Sequence, residues 1–138
     1  MTVMDEAELA AFLDTVFPQV RGDFAVERVA PMGCTMRLIV AERHLRPGGT
    51  VSGPSMFALA DCAFYGAVLA MIGRQAMTVT TSLTINFMRK PGPSDLIGEA
   101  RILKLGRSLA VGDVLLTQAG IEGPVAQASV TYSIPPAR

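Results

Sequence analysis

The sequence contains a single histidine, His44, and this scarcity restricts the chemistry open to the chain. A Ser-His-Asp triad needs a histidine beside its nucleophile, and a zinc site usually takes several His or Cys ligands. The only two cysteines, Cys34 and Cys62, lie in apolar surroundings without metal-ligand spacing, so we expect reduced thiols. The sequence therefore predicts no metal site and no cofactor of the protein's own.

Charged residues are also few, at 17% of the chain, and their signs balance to a formal net charge of zero. No run of Lys or Arg occurs, so we expect neither nucleic acid nor an anionic membrane surface as a partner. The first eight residues are acidic and lack the basic and apolar regions of a signal peptide. Together with reduced thiols, this predicts a cytoplasmic location.

Hydrophobic residues are what the chain has in excess, at 50% of its 138 residues. This length suits one domain with a sizeable core, so we predict a single domain over residues 1–138. So much apolar surface is more than a monomer of this size easily hides. We therefore expect a homo-oligomer, either a dimer or a tetramer.

The longest apolar stretch, Pro54–Ile72, has the length and composition of one helix. At roughly 1.5 Å per residue it would be about 28 Å long, close to the thickness of a bilayer core. A charged residue at its centre, Asp61, and the absence of flanking basic clusters favour instead a helix surrounded by protein. We therefore expect no membrane partner.

Periodicity predicts one further helix and six strands around this segment. Residues 5–17 carry apolar residues at helical spacing, and residues 134–138 read as a short tail after the last strand. The predicted strands are residues 24–30, 34–41, 77–89, 97–105, 109–118 and 125–133. We predict that the last four form an antiparallel meander. An antiparallel sheet that covers an all-apolar helix must curl around it, which predicts an α+β architecture.

The ends of the long helix carry recognisable stop and start signals. Ser52 is placed to cap its N-terminus, Pro54 to occupy the first helical position, and Gly73 to follow its last turn.

Asp61 is the only acidic residue between Glu42 and Asp95, and apolar residues surround it in sequence. A carboxylate among such neighbours loses hydration, which costs free energy unless a partner compensates. Two explanations stand from the residues alone. Asp61 either performs chemistry or is a structural carboxylate that accepts hydrogen bonds from a neighbouring strand or helix.

A resemblance to a known family bears on this choice. Residues 46–61 read Arg-Pro-Gly-Gly-Thr-Val-Ser-Gly-Pro-Ser-Met-Phe-Ala-Leu-Ala-Asp, and residues 80–91 read Thr-Thr-Ser-Leu-Thr-Ile-Asn-Phe-Met-Arg-Lys-Pro. Both segments resemble the hotdog-fold acyl-CoA thioesterases, in particular the phenylacetate-degradation (PaaI-like) branch. The resemblance extends over residues 24–133. It implies a hotdog fold, in which a curved antiparallel sheet wraps around a long central apolar helix.

The resemblance implies that Asp61 is the nucleophile or general base and that the Gly53 N–H polarises the thioester carbonyl. A free N–H at a helix start suits the second role on physical grounds. Eight residues separate the two positions, so they lie about 12 Å apart along one helix. A single thioester carbon cannot touch both. In the family, Gly53 of one subunit would meet Asp61 of its partner, giving two identical sites per dimer.

The remaining candidate site residues follow from the same resemblance, which has three departures from the family's pattern, and, for Tyr65, from its position one helical turn after Asp61. The family's histidine is Ser52 here, its second glycine is Pro54, and its Asn or Gln is Arg46. We expect these three, with Tyr65 and Thr80, to line the substrate site. Four polar residues are candidates for binding the phosphates of coenzyme A: Arg89, Lys90, Arg107 and Ser108.

The predicted function is hydrolysis of an aromatic or medium-chain acyl-CoA thioester to the free acid and coenzyme A, which is part of the substrate. Two alternatives remain open. The departures at Ser52, Pro54 and Arg46 allow a catalytically weak acyl-CoA-binding protein. A hydratase of the same fold generally pairs a carboxylate with a histidine, and the sequence has none near Asp61.

Overall fold

The structure, a computed structural model, describes residues 1–136. Its two α-helices are α1 (Glu6–Val16) and α2 (Gly53–Ile72). Its six strands are β1 (Phe24–Ala30), β2 (Gly33–Leu38), β3 (Val79–Phe87), β4 (Leu96–Leu105), β5 (Leu109–Thr117) and β6 (Ala126–Ser133). Short 3₁₀ turns lie at Pro18–Val20 and Glu42–His44. The order of elements and the α+β hotdog architecture agree with the sequence prediction.

Helix α2 is the core around which the sheet curls. Its last two-thirds is almost continuously buried, with Phe64, Val68 and Leu69 fully inaccessible to solvent. By length and composition α2 would pass as a membrane span, but 67% of that stretch is buried within the fold, as expected of a core helix. The enclosure explains why its sequence shows no polar face.

The ends of α2 follow the predicted signals with one shift. The Ser52 side chain accepts a hydrogen bond from the Ser55 N–H, and Gly73 ends the helix with a φ of 94° that favours glycine. The helix begins one residue earlier than predicted, at Gly53. Pro54 is therefore the second helical residue instead of the first, a position that equally needs no N–H donor.

The sheet has the strand order β1-β2-β4-β5-β6-β3, so the predicted four-strand meander is wrong in one strand. Strands β4, β5 and β6 form a meander, whereas β3 pairs with β6 at the far edge. The segment between β3 and β4 must therefore cross from one side of the sheet to the middle. The buried Gln118 holds this crossing by hydrogen bonds to both backbone groups of Gly92 and to the carbonyl of Ser94.

The two edges of the sheet differ in their cover. At the β1 edge, the Glu6 carboxylate of α1 accepts a hydrogen bond from the Val29 N–H, at 2.9 Å. At the β3 edge, Val79 and Phe87 are about half exposed, and no described element pairs with the outer side of the strand. An uncovered strand edge is a ready template for pairing with another chain.

Candidate active site

Asp61 is the ninth of the twenty residues of α2 and lines a cleft of about 390 Å³ between α2 and β3. The side chain is only partly buried, so the sequence-based expectation of a carboxylate enclosed by apolar neighbours holds for α2 but not for Asp61 itself. Its neighbours in the same turn, Leu59, Ala60 and Cys62, are buried, so Asp61 is the one position of this turn that solvent reaches. Two polar side chains meet it there.

The first partner is Thr80, whose hydroxyl donates to Asp61 Oδ1 at 2.6 Å. A β-bulge between Thr80 and Ser82 shifts the register of β3 by one residue. Without the bulge, the alternation that points Leu83 and Ile85 toward the helix would point Thr80 away from it. The bulge therefore places Thr80, a predicted site residue, on the same face as Asp61.

The second partner is Tyr132 of β6, which the sequence analysis did not single out. Its hydroxyl lies 2.6 Å from Asp61 Oδ1 and 3.0 Å from the Asp61 carbonyl oxygen. Burial, followed by the adjacent Asp61 carboxylate, strongly raises the pKa of Tyr132. The phenol therefore stays protonated and acts as a donor. No sequence signal marked it, because Tyr132 lies 71 positions from Asp61 in the chain.

Both hydroxyls bind the same oxygen, and this leaves the carboxylate asymmetric. Among residues 1–136, no hydrogen-bond donor reaches Asp61 Oδ2. Two short charge-assisted bonds therefore fix the orientation of the carboxylate through Oδ1. Its second oxygen remains available to a substrate or a water molecule in the cleft.

Tyr65 lines the same cleft one turn after Asp61. Its hydroxyl donates to the Ala76 carbonyl at 2.9 Å, and its ring stacks on Tyr132 with centroids 6.0 Å apart. Burial raises the pKa of Tyr65. Tyr65 therefore contributes an aromatic wall, and its hydroxyl is already occupied.

Gly53 forms the start of α2 in a separate, shallower cleft of about 400 Å³. The Ser52 hydroxyl satisfies the Ser55 N–H, and Pro54 has none, so Gly53 carries the first free N–H of the helix. The ring of Phe87 lies 3.3 Å from where a Cβ on residue 53 would sit. A side chain at residue 53 would have to displace this exposed ring slightly, and the Gly53 N–H offers an amide donor at the positive end of the helix dipole.

The Gly53 cleft also gathers three of the predicted polar residues: Arg46, Arg89 and Lys90. The Arg89 guanidinium donates to the Pro124 carbonyl at 2.7 Å, which ties it to the loop before β6. No carboxylate of residues 1–136 lies within ion-pair distance of Arg46 or Lys90. Positive charge here is therefore concentrated beside the helix start.

The other two candidates for binding phosphate, Arg107 and Ser108, lie at the opposite end of β3. They form the turn between β4 and β5, where the Ser108 carbonyl accepts from the Ile134 N–H at 2.8 Å. Ser133 in turn pairs with Val79, next to Thr80. Within one protomer the structure thus brings Arg107 and Ser108 to the Asp61 end and separates them from the Gly53 end.

The residues that the structure describes contain no group of three or more His, Cys, Asp or Glu side chains arranged to bind a metal ion. His44 is buried, accepts from the Ala41 N–H through Nδ1 and places Nε2 3.4 Å from an Asp23 carboxylate oxygen. It helps to hold the loop before α2 and takes no part in the hydrogen bonds to Asp61.

Comparison with known proteins decides the family. The profile of the thioesterase superfamily matches residues 48–125, more than half of the chain and the part that contains both Gly53 and Asp61. The chain belongs to the thioesterase superfamily. No curated protein sequence matches it.

Solved structures agree with this assignment. A candidate thioesterase from a Silicibacter species is 58% identical, with a TM-score of 0.91 over 99% of this chain and 95% of that one. Zebrafish thioesterase superfamily member 2 is 26% identical, with a TM-score of 0.79 over 94% and 95%. A mutant of the phenylacetic acid degradation protein PaaI from Thermus thermophilus is 26% identical, with a TM-score of 0.74 over 86% and 99%. The resemblance to the PaaI-like branch is confirmed, and the family supports thioester hydrolysis in general terms.

Proposed function

We propose that this thioesterase-superfamily protein hydrolyses acyl-CoA thioesters, with Asp61 as the reacting carboxylate and the Gly53 N–H polarising the thioester carbonyl. The observation that carries the proposal is the asymmetry of Asp61. Thr80 and Tyr132 hold Oδ1, and Oδ2 opens into the cleft. A reacting carboxylate needs a fixed orientation and an oxygen that a substrate or a water molecule can reach, and this arrangement supports both requirements.

The catalytic pair would come from two subunits. Gly53 and Asp61 lie on one helix about 12 Å apart, too far for one carbonyl carbon. Phe87 touches Gly53, and Thr80 touches Asp61. A second copy that pairs antiparallel along β3, about an axis at residue 84, would set Thr80 opposite the partner's Phe87, because the bulge between Thr80 and Ser82 adds one residue to the strand. That pairing brings Asp61 toward the partner's Gly53 and covers the open β3 edge.

The same dimer would unite the separated polar residues. Arg89 and Lys90 accompany Gly53, whereas Arg107 and Ser108 accompany Asp61. Across the two-fold axis, the two groups would converge on one site. Few charge-assisted hydrogen bonds suffice to hold the phosphates of coenzyme A at such a surface. We therefore assign all four, with Arg46, to recognition of the coenzyme A part of the substrate.

Two chemical routes start from this arrangement. In the first, Asp61 Oδ2 attacks the carbonyl carbon, the carbon–sulfur bond breaks, and coenzyme A leaves as a thiolate from a mixed anhydride that water then hydrolyses. In the second, Asp61 takes a proton from a water molecule that attacks the carbonyl directly. A single turnover in oxygen-18 water separates the routes when water opens the anhydride at the Asp61 carboxyl carbon, because the label then enters Asp61, whereas the second route places it only in the product acid.

Mixing two inactive variants tests the shared site. Asp61→Ala removes the carboxylate, and Gly53→Pro removes the N–H at a helical position where proline is tolerated. We expect each variant alone to lose at least about a hundredfold in thioester hydrolysis, since one oxyanion donor or one general base contributes that much. In an equal mixture, half of the dimers would be mixed and would carry one intact site of two, so about a quarter of wild-type activity should return.

The control is an equal mixture of Asp61→Ala with Asp113→Asn, a carboxylate variant on the outer face of the sheet. Free-thiol detection over a panel of acyl-CoA esters gives the rates. If subunits exchange but the mixture of Asp61→Ala and Gly53→Pro stays inactive, the site does not span two subunits. If Asp61→Ala hydrolyses every ester at the wild-type rate, Asp61 is not the reacting group.

An acyl-CoA-binding protein with weak catalysis is the second candidate, favoured by one observation. Ser52 lies at the position of the family's histidine. Its hydroxyl already accepts a hydrogen bond from the Ser55 N–H, so it is less available to orient a substrate. Under this alternative, Asp61→Asn keeps its affinity for acyl-CoA in calorimetry while wild type and variant share a negligible rate of hydrolysis.

A further inference from the structure

A second cleft lies directly beyond the Asp61 cleft, beneath helix α1. Its volume is about 330 Å³, and its walls come from α1, the following turn, β1, β2 and α2. Apart from Asp14 and Arg21, its lining is free of charge: Ala10, Leu13, Phe17, Val20, Phe24, Ala25, Val26, Met36 and Cys62. The candidate site described above makes no use of it.

The two clefts share two side chains, Phe17 and Cys62. Cys62 follows Asp61 on α2, so the second cleft begins one residue away from the reacting carboxylate. Phe17 ends α1, and its backbone is restrained by Pro18 behind it and by the bond from its N–H to the Leu13 carbonyl. Phe17 therefore lies between the Asp61 cleft and the cleft beneath α1 and lines both of them.

Resting on the proposed function, we propose that the α1 cleft binds the distal part of an unbranched aliphatic acyl chain, which enters past Phe17 and Cys62 while its thioester lies at Asp61. A polymethylene chain is slim enough to follow a route between the two side chains that line both clefts. A single aromatic ring would instead end in the first cleft, against Tyr65 and Tyr132. The preferred substrates are therefore aliphatic acyl-CoA esters whose chains are long enough to pass Phe17.

Charge in the α1 cleft is confined to one pair. Arg21 Nε lies 3.9 Å from an Asp14 carboxylate oxygen, and both side chains are more than half exposed. This ion pair therefore faces solvent, and the other residues that line the cleft carry no charge. A methyl-terminated chain suits such an interior, because each CH₂ group transferred from water gains about 0.8 kcal/mol.

Binding of S-alkyl-CoA thioethers, from butyl to tetradecyl, tests the inference separately from hydrolysis. These probes contain no thioester, so they bind whether or not the protein turns over a substrate. We expect the dissociation constant to fall about threefold to fourfold per added CH₂ group until the cleft is full. Calorimetry on the full-length protein would measure the series, with S-benzyl-CoA as the aromatic comparison.

Filling the cleft should end this gain at a shorter chain. Ala10→Leu projects into the cleft from α1, and Ala25→Leu fills it from β1, so the two variants do not share the same risk to folding. Ala11→Leu makes the same change one position along α1, where the residue is exposed, and serves as the matched control. We expect short thioethers to bind all four proteins equally, and long ones to bind Ala10→Leu and Ala25→Leu at least tenfold more weakly than wild type or Ala11→Leu.

Equal dependence on chain length in all four proteins, or tighter binding of S-benzyl-CoA than of every long alkyl probe, would overturn the inference. If the wild-type protein hydrolyses no acyl-CoA ester but its affinity for the thioethers still increases with chain length, the proposed function is rejected and the cleft assignment stands. In hydrolysis assays, the cleft-filling variants should raise KM for long acyl-CoA esters without lowering kcat for short ones.

Discussion

At the scale of single residues, the orientation of the Asp61 carboxylate depends on hydrogen bonds to only one of its two oxygens. Two hydroxyls on neighbouring strands converge on Oδ1, and both lie at 2.6 Å. Hydrogen bonds of this kind to a charged group stabilise it by about 1.5–3 kcal/mol each. They compensate for the hydration that Asp61 loses against α2 and hold the side chain in one orientation.

The substitution Tyr132→Phe should therefore lower kcat while leaving KM for acyl-CoA nearly unchanged. Removal of one of two donors frees the carboxylate to rotate away from the substrate carbon, and we expect a loss of about tenfold, since a charge-assisted hydrogen bond is worth about 1.5 kcal/mol or more. Steady-state kinetics with a free-thiol assay measures both constants.

Tyr65→Phe is the matched control for Tyr132→Phe. It removes the same hydroxyl from the neighbouring, stacked ring, but that hydroxyl bonds the Ala76 carbonyl and not Asp61. Equal effects of the two substitutions on kcat would mean that the Tyr132 hydroxyl acts on packing alone.

The two thiols provide a second residue-scale prediction. Burial, with smaller contributions from Glu6 and Asp61 respectively, raises the pKa of Cys34 and of Cys62 to about 12, from an ordinary 9.0. In the unfolded chain the thiols ionise near their ordinary pKa, so between about pH 9 and pH 12 the folded state binds more protons. The stability that they contribute is complete below pH 9 and is lost as the pH rises through this window.

Urea unfolding at pH 9 and pH 10 would measure this loss, and comparison with a variant that lacks both thiols separates it from the ionisation of Tyr65 and Tyr132, whose pKa values are also raised. We expect the free energy of unfolding to fall on the order of 1 kcal/mol per thiol over that interval. The double variant Cys34→Ala/Cys62→Ala should lose the thiol contribution and keep that of the tyrosines, whatever its absolute stability. Parallel curves for variant and wild type would show that the thiols do not titrate differently in the two states.

At the scale of elements, the start of α2 combines a structural cap with the candidate oxyanion donor. Ser52 satisfies the Ser55 N–H, Pro54 has no N–H, and the Gly53 N–H is left facing the cleft. The cap thus determines which amide is free. A helix whose interior is almost wholly buried still depends on its polar first turn for this function.

Ser52→Ala should lower the free energy of unfolding by about 1 kcal/mol, the usual effect of losing an N-cap side chain. Chemical denaturation measures the change, and Ser94→Ala is the control because the Ser94 side chain is exposed and caps no helix. An unchanged stability in Ser52→Ala would mean that water replaces the hydroxyl at no cost.

At the scale of the whole molecule, the sheet is closed at one edge and open at the other. Glu6 of α1 covers β1, whereas β3 exposes apolar side chains along an unpaired edge. The two candidate catalytic groups on α2, Asp61 and Gly53, lie beside the two ends of this strand, next to Thr80 and Phe87. Assembly and catalysis are therefore proposed to depend on one surface.

Thr84→Glu tests that dependence. In a two-fold pairing about the middle of β3, it places two carboxylates close together, and like charges opposite each other destabilise a strand pair. We expect the dimer to dissociate at micromolar concentration, measured by light scattering, and hydrolysis to fall in parallel. Ser129→Glu, in register with Thr84 but one strand inward, is the control. A Thr84→Glu protein that remains a fully active dimer would require another interface.

Local signals were enough to predict much of this molecule from its sequence. Helix α2, its Ser52 cap and its Gly73 end follow from adjacent residues, as do the strand positions. Each depends on hydrophobic periodicity or backbone preference over a few positions. Those forces act at short range along the chain, and the sequence displays them directly.

Only the tertiary structure decided which strands became neighbours. The pairing of β3 with β6 in place of β4, the bulge that turns Thr80 inward, and the meeting of Tyr132 with Asp61 all join residues far apart in sequence. The same pairing separates Arg107 from Arg89 and leaves β3 exposed. Such contacts depend on how the whole sheet closes around α2, because the buried area gained by one arrangement over another is a property of the complete fold.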